Sequence, residues 1–372
     1  MKTPIPTEGR VELRVEWGGS EARAASVCSR RPQPQSLLRG LSLEQVCAVI
    51  PRLYTLCGDA QTVAVEALRT LLRTGEPDVV SRQDWAERVR LEIIREHLWR
   101  LGLDWPGAIG TAPQPTRVRE LLASRTQFAV DRAAARSWAA GTLQELVGSP
   151  VEPWIRELDP QPFARWLRAA PTALARLLAQ LRPRLSGLGR SQAPLFRGTD
   201  LGSLVRDVLP RLQTDPDFHW RPDWNGQVFE MGPLARNRDQ PLIQALLAES
   251  GSPDSWLRVV ARVLELVQAL QSLAAGQPAG PAMAWHREPR EAVVALEMAR
   301  GVLLHWARAD GNGVAAYRIV APTEWNFHPE GPARQGLLQL QRADEQQVRE
   351  RVKLQVMALD PCVQYELEIA DA

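Results

Sequence analysis

The sequence predicts an α+β fold, with a mainly helical bundle core and small β-sheets or hairpins contributed by the N- and C-terminal segments. Three observations predict it: a two-residue hydrophobic alternation near the N-terminus, helical periodicity through the middle, and two apolar runs around a turn signal near the C-terminus. The 372 residues, 45% hydrophobic and 24% charged, suffice for one large globular domain or two ordinary ones.

The N-terminus is predicted to open with a β-hairpin. Apolar and charged side chains alternate from Val11 to Trp17, which is the period of a half-buried strand, and a Gly-Gly-Ser run at 18–20 then turns the chain. From Ser42 to about Leu72 the period becomes helical. The sequence Ser-Leu-Glu-Gln that begins at Ser42 is typical of a capped helix start, so we expect a helical region that contains Cys57.

The middle of the chain is predicted to be mostly helical. An apolar stripe runs from Trp85 to Leu101 after a candidate cap at Ser81, and similar segments cover 116–147, 162–181 and 255–273. The stretch from Arg190 to Pro241 has several prolines and no clear period. We therefore expect an irregular insertion there, of the kind that can be mobile.

The C-terminal part is predicted to return to strands. Residues 302–309 and 314–320 are two apolar runs joined by Asp-Gly-Asn-Gly, a strong turn signal. Strands at both ends of a helical chain allow the two ends to meet around one core. In that arrangement Cys57 and Cys362 become neighbours in space.

Charge and cysteine usage exclude several classes of partner and compartment. The net charge is +2 with both signs interleaved, so we expect neither a nucleic acid nor a membrane surface as a partner. Four cysteines are too few for a disulfide framework in a chain of this length, which favours a reducing compartment. No signal segment is evident, and no stretch approaches the ~20 apolar residues of a membrane helix. We expect a soluble, cytoplasmic protein.

Two of the cysteines stand in short motifs. Gly58 after Cys57 lets backbone pack close to a bound group, and Pro361 before Cys362 fixes the approach of the thiol. Neither motif is specific by itself, and a lone cysteine is most simply a small buried thiol. Asp59, beside the first motif, could tune the basicity of the thiolate or face solvent.

Together, the two motifs resemble those of the large, catalytic subunit of nickel-iron hydrogenases, Arg-Ile-Cys-Gly-x-Cys-x-x-x-His early in the chain and Asp-Pro-Cys-x-x-Cys-x-x-His at its end. Further similar stretches are TEGRVELRVEW with LLRG at 37–40, EMARGVLLHW at 297–306 and YRIVAPTEWNFHP at 317–329. The resemblance covers about 5–100 and 290–368. It implies one large-subunit-like domain over 1–372, with the N-terminal hairpin and Cys57 region in 1–100, a divergent helical middle in 101–290, and the C-terminal hairpin and Asp-Pro-Cys tail in 291–372.

The resemblance also implies which metal ligands persist. In that family four thiolates hold a nickel and an iron that carries cyanide and carbon monoxide, and soft thiolates suit both metals. Cys57 and Cys362 match the first cysteine of each pair, whereas Ala60 and Tyr365 stand where the bridging cysteines would be. We therefore expect Cys57 and Cys362 to be metal ligands, no nickel to be bound, and no hydrogen turnover.

The residues that the resemblance places around the iron match the family more fully than the expected metal ligands do. In the family an arginine before glycine and a Pro-Ser/Thr pair line the pocket for the cyanides, and Arg300, Ala321, Pro322 and Thr323 match these positions. A guanidinium with several fixed donors suits an anionic diatomic ligand. Glu8 matches a family acid near the metal, although a surface glutamate on a strand edge is an equal alternative.

Other family positions have changed or have a simpler explanation. Ala64 and Glu368 stand at the family's histidines and Ser42 at an acid, so the divalent metal site that the resemblance would imply is in doubt. His305 and His328 are predicted to be packed or turn histidines rather than ligands.

These features resemble hydrogenase maturation proteins of the HupK/HoxV type. The resemblance implies a non-enzymatic scaffold that transiently holds the Fe(CN)2CO unit and passes it to the apo large subunit of a nickel-iron hydrogenase. Its expected partners are that subunit, maturation chaperones and iron-ligand assembly proteins of the HypC/HypD type. The alternatives are a metal-free interaction or chaperone subunit, like the quinone-site subunit of respiratory complex I, and a divergent hydrogenase with only two sulfurs.

Overall fold

The computed structural model describes residues 9–32, 34–54, 56–148, 160–280 and 283–371. It confirms the predicted α+β class, with a large helical body and two small sheets. The strands are β1 (Arg10–Gly18), β2 (Glu21–Arg30), β3 (Met283–Glu288), β4 (Glu291–Met298), β5 (Gly301–Asp310), β6 (Gly313–Val320) and β7 (Gln364–Asp371).

The helices occupy most of the chain between the first and the last strands. In chain order they are α1 (Gln35–Leu38), α2 (Leu43–Leu53), α3 (Gly58–Arg73), α4 (Val79–Trp99), α5 (Trp105–Ala108), α6 (Thr116–Val130), α7 (Arg132–Val147), α8 (Pro160–Ala169), α9 (Ala173–Leu185), α10 (Leu201–Thr214), α11 (Pro233–Asn237), α12 (Pro241–Ser250), α13 (Ser255–Ala274), α14 (Pro322–Asn326), α15 (Pro332–Leu337) and α16 (Glu345–Leu359). A π-helical turn over Arg100–Asp104 links α4 to α5. Within the described ranges, no helix is both long and apolar enough to cross a membrane.

The first sheet joins the two ends of the chain. Its order is β2-β1-β7, with β1 antiparallel to β2 and parallel to β7, so that Arg10 lies opposite Gln364 and Trp17 opposite Asp371. The alternation predicted for β1 is confirmed, because its apolar side chains are buried against α15 and α16 while its charged ones face outward. This sheet sets β7, and the segment just before it, beside the N-terminal hairpin.

The second sheet is antiparallel in the order β3-β4-β5-β6 and is covered on both faces. Val294 and Leu303 pack on α2 and α3, whereas Val293 and Leu304 face α10. The hairpin of β5 and β6 was predicted. The two strands before it were not, and β3 begins inside the segment predicted to be helical. β4 is buried on both faces, and such a strand loses the two-residue period.

The helical body surrounds α13, which is buried along almost its whole length and packs against α4, α7, α9, α12 and α16. Ser42 caps α2 through a capping box with Gln45, as predicted. For α4 the predicted cap is wrong: Asp78, not Ser81, accepts the first backbone hydrogen bond, and it does so from the Ser81 amide at 2.7 Å.

The prediction of an irregular insertion at 190–241 is wrong for residues 201–214 and 233–237, which are helical. The segment contains α10, whose side chains Leu204, Val208 and Leu212 are buried in one cluster with Trp306 of β5. The prolines made the helical period difficult to recognise in the sequence, because Pro210 lies inside α10 rather than ending it. The segment is therefore part of the core that supports the second sheet.

Candidate functional site

The structure brings Cys57 and Cys362 together, as the sequence predicted. Cys57 is the residue immediately before α3, and Cys362 lies between the end of α16 and the start of β7. Their thiols are hydrogen-bonded to each other. A site made of two sulfurs is thus assembled from residues 305 positions apart in the chain.

The pKa values of the two thiols shift in opposite directions. The pKa of Cys362 is held well below its usual range by a hydrogen bond from Cys57 and, against the effect of burial, by the charges of Arg300 and Arg31. The pKa of Cys57 is raised by the same hydrogen bond and by burial. The resting pair is therefore a Cys57 thiol that donates to a Cys362 thiolate.

The turn before Cys362 is fixed by a buried carboxylate. Asp360 has φ 58° and ψ 70°, a left-handed conformation that is rare outside glycine and is reached here at the end of α16. Its carboxylate pairs with three arginines, Arg100 at 2.7 Å and Arg262 and Arg300 at 3.3 Å each. Burial alone would raise the pKa of Asp360, but these three cations lower it to about 2.

Arg300 lies at the turn between β4 and β5, and its side chain is almost fully buried. Its Nη2 donates to Glu96 Oε2 at 2.7 Å, its Nε faces Asp360, and its Nη1 has no hydrogen-bond partner among the residues that the structure describes. Although burial opposes the charge, Asp360, Cys362, Glu96 and Cys57 raise the pKa of Arg300 well above its usual value. One guanidinium N–H thus remains available within the electrostatic field of both sulfurs.

The glycine after Arg300 is required by the backbone. Gly301 has φ +127°, and a Cβ built there would lie 2.8 Å from the Cβ of Met231. Any other residue would strain the turn and collide with the neighbouring segment. The Arg-Gly pair noted in the sequence is therefore a structural requirement of the turn that buries this guanidinium.

Thr323 contacts the second sulfur. Its Oγ1 accepts hydrogen bonds from the Cys362 amide at 3.2 Å and from Arg31 Nη2 at 2.9 Å, and its hydroxyl donates to Cys362 Sγ at 3.6 Å. Ala321 and Pro322 are buried at the start of α14, just before Thr323. Glu8, the remaining predicted site residue, lies outside the described residues.

The backbone around Cys57 is held by Glu92 of α4, which the sequence gave no reason to select. Glu92 accepts from the amides of Asp59 at 2.8 Å and of Ala60 at 3.4 Å, which are among the first free N–H groups of α3. Burial raises the pKa of Glu92 to about 8. Asp59 is buried next to it, so the suggestion that Asp59 could face solvent is wrong.

A neutral hydrogen-bond chain reaches Cys57 from the second sheet. Gln61 Nε2 donates to Cys57 Sγ at 3.7 Å, and Gln61 Oε1 is 2.8 Å from His305 Nε2. Since the amide oxygen can only accept, His305 must carry its proton on Nε2 and accept at Nδ1 from the Tyr317 hydroxyl, 2.7 Å away. His305 is thus a packed histidine, as predicted, but its partners lead to the site.

The site opens to solvent through a cleft of about 650 Å³. Both cysteines, Arg31 and Tyr365 are among its lining residues, whereas Ala60 is fully buried. Three leucines of the lining are exposed, Leu37 by 62%, Leu53 by 44% and Leu56 by 48%. We call these three residues the apolar rim.

The positions of the expected divalent metal site have other partners. Ser42 caps α2, and Glu368 on β7 pairs with Arg14 at 3.6 Å on the outer face of the first sheet. Across the described part of the chain, no group of three or more His, Cys, Asp or Glu residues is arranged to hold a metal ion.

The fold and the paired cysteines place the chain in the class of nickel-iron hydrogenase large-subunit-like proteins. Residues 254–365 match the family model described as nickel-dependent hydrogenase. The fold is similar to the Ni-Fe-Se hydrogenase from D. vulgaris Hildenborough in the reduced state, with a TM-score of 0.58, 14% identity, and 95% of this chain and 98% of that chain covered. A reduced, active Ni-Fe-Se hydrogenase from Desulfomicrobium baculatum gives a TM-score of 0.57 at 16% identity, with 94% and 95% covered.

Within that class, the chain belongs to the HoxV/HupK family of hydrogenase expression/formation proteins. It is 30% identical over 396 residues to the protein HoxV of Cupriavidus necator, covering 100% of this chain and 98% of the relative. It is 31% identical over 370 residues to the protein HupK of Azotobacter vinelandii, covering 98% and 99%. An uptake hydrogenase large subunit of Bradyrhizobium diazoefficiens is 29% identical over 160 residues, which cover 34% of this chain.

Proposed function

We propose that the protein is a non-enzymatic maturation scaffold that transiently holds the Fe(CN)2CO unit on Cys57 and Cys362 and passes it to the apo large subunit of a nickel-iron hydrogenase. The relatives are named as hydrogenase expression/formation proteins, which supports a role in maturation. The observation that carries the proposal is the pair of cysteines that line one open cleft.

The chemistry of the pair suits a soft metal. The lowered pKa of Cys362 favours a thiolate, which is the form of cysteine that binds a soft metal, and a metal held by both sulfurs would displace the proton of Cys57. Two sulfurs rather than four favour release, since fewer bonds must break. Ala60 and Tyr365, which stand where bridging sulfurs would be needed for nickel, support a carrier rather than a hydrogenase.

The surroundings fit anionic diatomic ligands. Within the described part of the chain the buried Nη1 of Arg300 has no hydrogen-bond partner, and such a donor gains free energy when an anion accepts from it. Thr323 already donates to Cys362 and limits how that sulfur can turn. Ala321 and Pro322 supply buried apolar surface beside Thr323, and these residues together would orient the unit.

Transfer requires partners at the cleft. The apolar rim is exposed around the opening, and exposed leucines beside a site are typical of surfaces that meet other proteins. The partners proposed are the apo large subunit and, before it, maturation chaperones and iron-ligand assembly proteins of the HypC/HypD type, all in the cytoplasm.

Infrared spectroscopy of protein purified without oxygen, from cells that express the maturation machinery, tests the proposal. We expect cyanide and carbonyl bands and bound iron in the wild type, and the loss of both in Cys57→Ala and in Cys362→Ala. Cys28→Ala, which changes a free cysteine of β2, is the matched control and should keep the bands. Folded wild-type protein without the bands would favour a metal-free interaction role.

A further inference from the structure

We propose that Arg31 is a further binding residue of this site, whose guanidinium donates to an anionic ligand of the unit held by Cys57 and Cys362. The inference rests on the proposed function and deepens it. Arg31 follows the last residue of β2 and is not part of any motif that the sequence singled out. Its position reflects the fold, because the first sheet sets the end of β2 beside the segment that carries Cys362.

Arg31 faces the cleft from its wall, in contact with the second sulfur. The guanidinium hydrogen-bonds to Thr323 and interacts with the Cys362 thiolate, and its side chain is only 9% exposed. The pKa of Arg31 is raised although burial opposes its charge, because Cys362 and Glu324 are close. A fixed cation therefore lines the space that a group on the sulfurs would occupy.

Arg300 and Arg31 differ in what they can reach. Arg300 does not line the cleft, and two of its nitrogens already face Glu96 and Asp360. Arg31 does line it, together with Cys57 and Cys362. The two guanidinium groups thus approach the thiols from the interior and from the cleft wall.

The charge of the loaded site favours a second cation. Each thiolate and each cyanide carries one negative charge, and a buried anion is costly unless it is paired and hydrogen-bonded. The charge of Arg300 is already shared with Glu96 and Asp360. Arg31 is an additional cation whose charge interacts with both sulfurs.

The ion pair with Glu324 leaves part of the hydrogen-bonding capacity of the Arg31 guanidinium unused. Its Nε lies 3.2 Å from Glu324 Oε1, but without the alignment of a hydrogen bond, and that oxygen already accepts from Ser29 at 3.0 Å. A pair built only for stability would normally be bidentate. Because burial raises the pKa of Glu324 to about 7, that carboxyl is also a weak counter-ion for Arg31 at neutral pH.

The test combines Arg31→Met with Glu324→Gln, so that no buried charge is left unpaired and the fold is kept. In protein loaded by the maturation machinery, we expect one cyanide band to shift and the bound iron to be lost about tenfold faster, the effect of one charge-assisted hydrogen bond. Glu324→Gln alone should keep both the bands and the iron. Arg39→Gln, an exposed arginine nearby in the chain, is the control and should match the wild type.

The outcomes separate this inference from the function on which it rests. Wild-type bands and iron retention in the double variant would overturn the role of Arg31 and leave the scaffold function standing. Equal changes in Glu324→Gln and in the double variant would show that Arg31 acts only as the partner of Glu324, which also overturns it. Absence of bands from the wild type would instead reject the proposed function.

Discussion

The two sulfurs of the site are chemically identical side chains in opposite surroundings. Cys57 begins a helix and is contacted by the neutral amide of Gln61, beside Glu92, whose raised pKa of about 8 leaves it largely uncharged at neutral pH. Cys362 follows a strained turn and faces the cations of Arg300 and Arg31. Proximity of the thiols alone does not decide which of them is ionised.

The difference shows that a pair of cysteines can be asymmetric before any metal arrives. Cations and hydrogen-bond donors close to Cys362 stabilise a thiolate there, whereas at Cys57 the hydrogen bond with Cys362, burial and the nearby Glu92 outweigh the charge of Arg300 and keep the proton. An electrophile that reaches the site would therefore meet Cys362 as the more reactive of the two sulfurs. Each of the following predictions changes one side and leaves the other in place.

The largest effect on the free energy of unfolding is expected from removing the charge of Asp360, the buried carboxylate in the turn before Cys362. Asp360→Asn removes the charge that three buried arginines share, and breaking a buried ion pair costs about 3–5 kcal/mol of the free energy of unfolding. Denaturant unfolding measures it. Asp371→Asn breaks an exposed pair with Arg342 and should cost less than ~1 kcal/mol. Equal losses in the two variants would contradict the anchoring role of Asp360.

A smaller, pH-dependent effect on the free energy of unfolding is expected from Glu92, which lies beside Cys57. Burial raises the pKa of Glu92 from 4.5 to about 8, so the folded protein holds this proton more tightly than the unfolded chain does. The contribution of Glu92 to stability is therefore complete below about pH 4.5 and is lost as the pH rises to about 8. Glu92→Gln should remove this loss, on the order of 2–4 kcal/mol across the window.

Unfolding curves of wild type and Glu92→Gln at several pH values between 4.5 and 8 measure the difference. Glu350→Gln, which changes an exposed carboxylate of α16, serves as the control and should follow the wild type. If the wild type and Glu92→Gln kept a constant difference in stability over that range, the buried proton would not be on Glu92.

The smallest effect is expected in the alkylation rates of individual thiols. In metal-free protein at pH 7, Cys362 should be alkylated at least ~10-fold faster than Cys47, because the pKa of Cys362 is lowered while burial raises that of Cys47. Mass spectrometry of the labelled peptides gives both rates in one sample. Cys57→Ala removes the thiol donor and should slow the labelling of Cys362. Faster labelling of Cys47 than of Cys362 would contradict the lowered pKa of Cys362.

The sequence predicted those parts of the fold whose signals are local. The period of β1, the capping box of α2 and the turn between β5 and β6 each lie within a few residues, and the structure confirms all three. The strand β4 and the helix α10 were not predicted, because burial on two faces removes the period of β4 and an internal proline interrupts that of α10.

The residues of the site can likewise be divided into those that stand in local sequence motifs and those that do not. Cys57, Cys362, Arg300 and Thr323 stand in motifs and could be selected by resemblance, and the structure places all four together. The residues that control their charge could not be selected. Arg31, Glu92 and the chain from Tyr317 through His305 to Gln61 act across large sequence separations, and no local pattern marks such contacts.

The parallel pairing of β1 with β7 also sets an order of events during synthesis. The N-terminal hairpin leaves the ribosome early, but its third strand lies about 350 residues later. At 5–20 residues per second, that interval is on the order of 20–70 seconds. During this time one edge of the hairpin stays uncovered and Cys57 has no companion sulfur. The pair of cysteines is therefore complete only when translation has nearly finished.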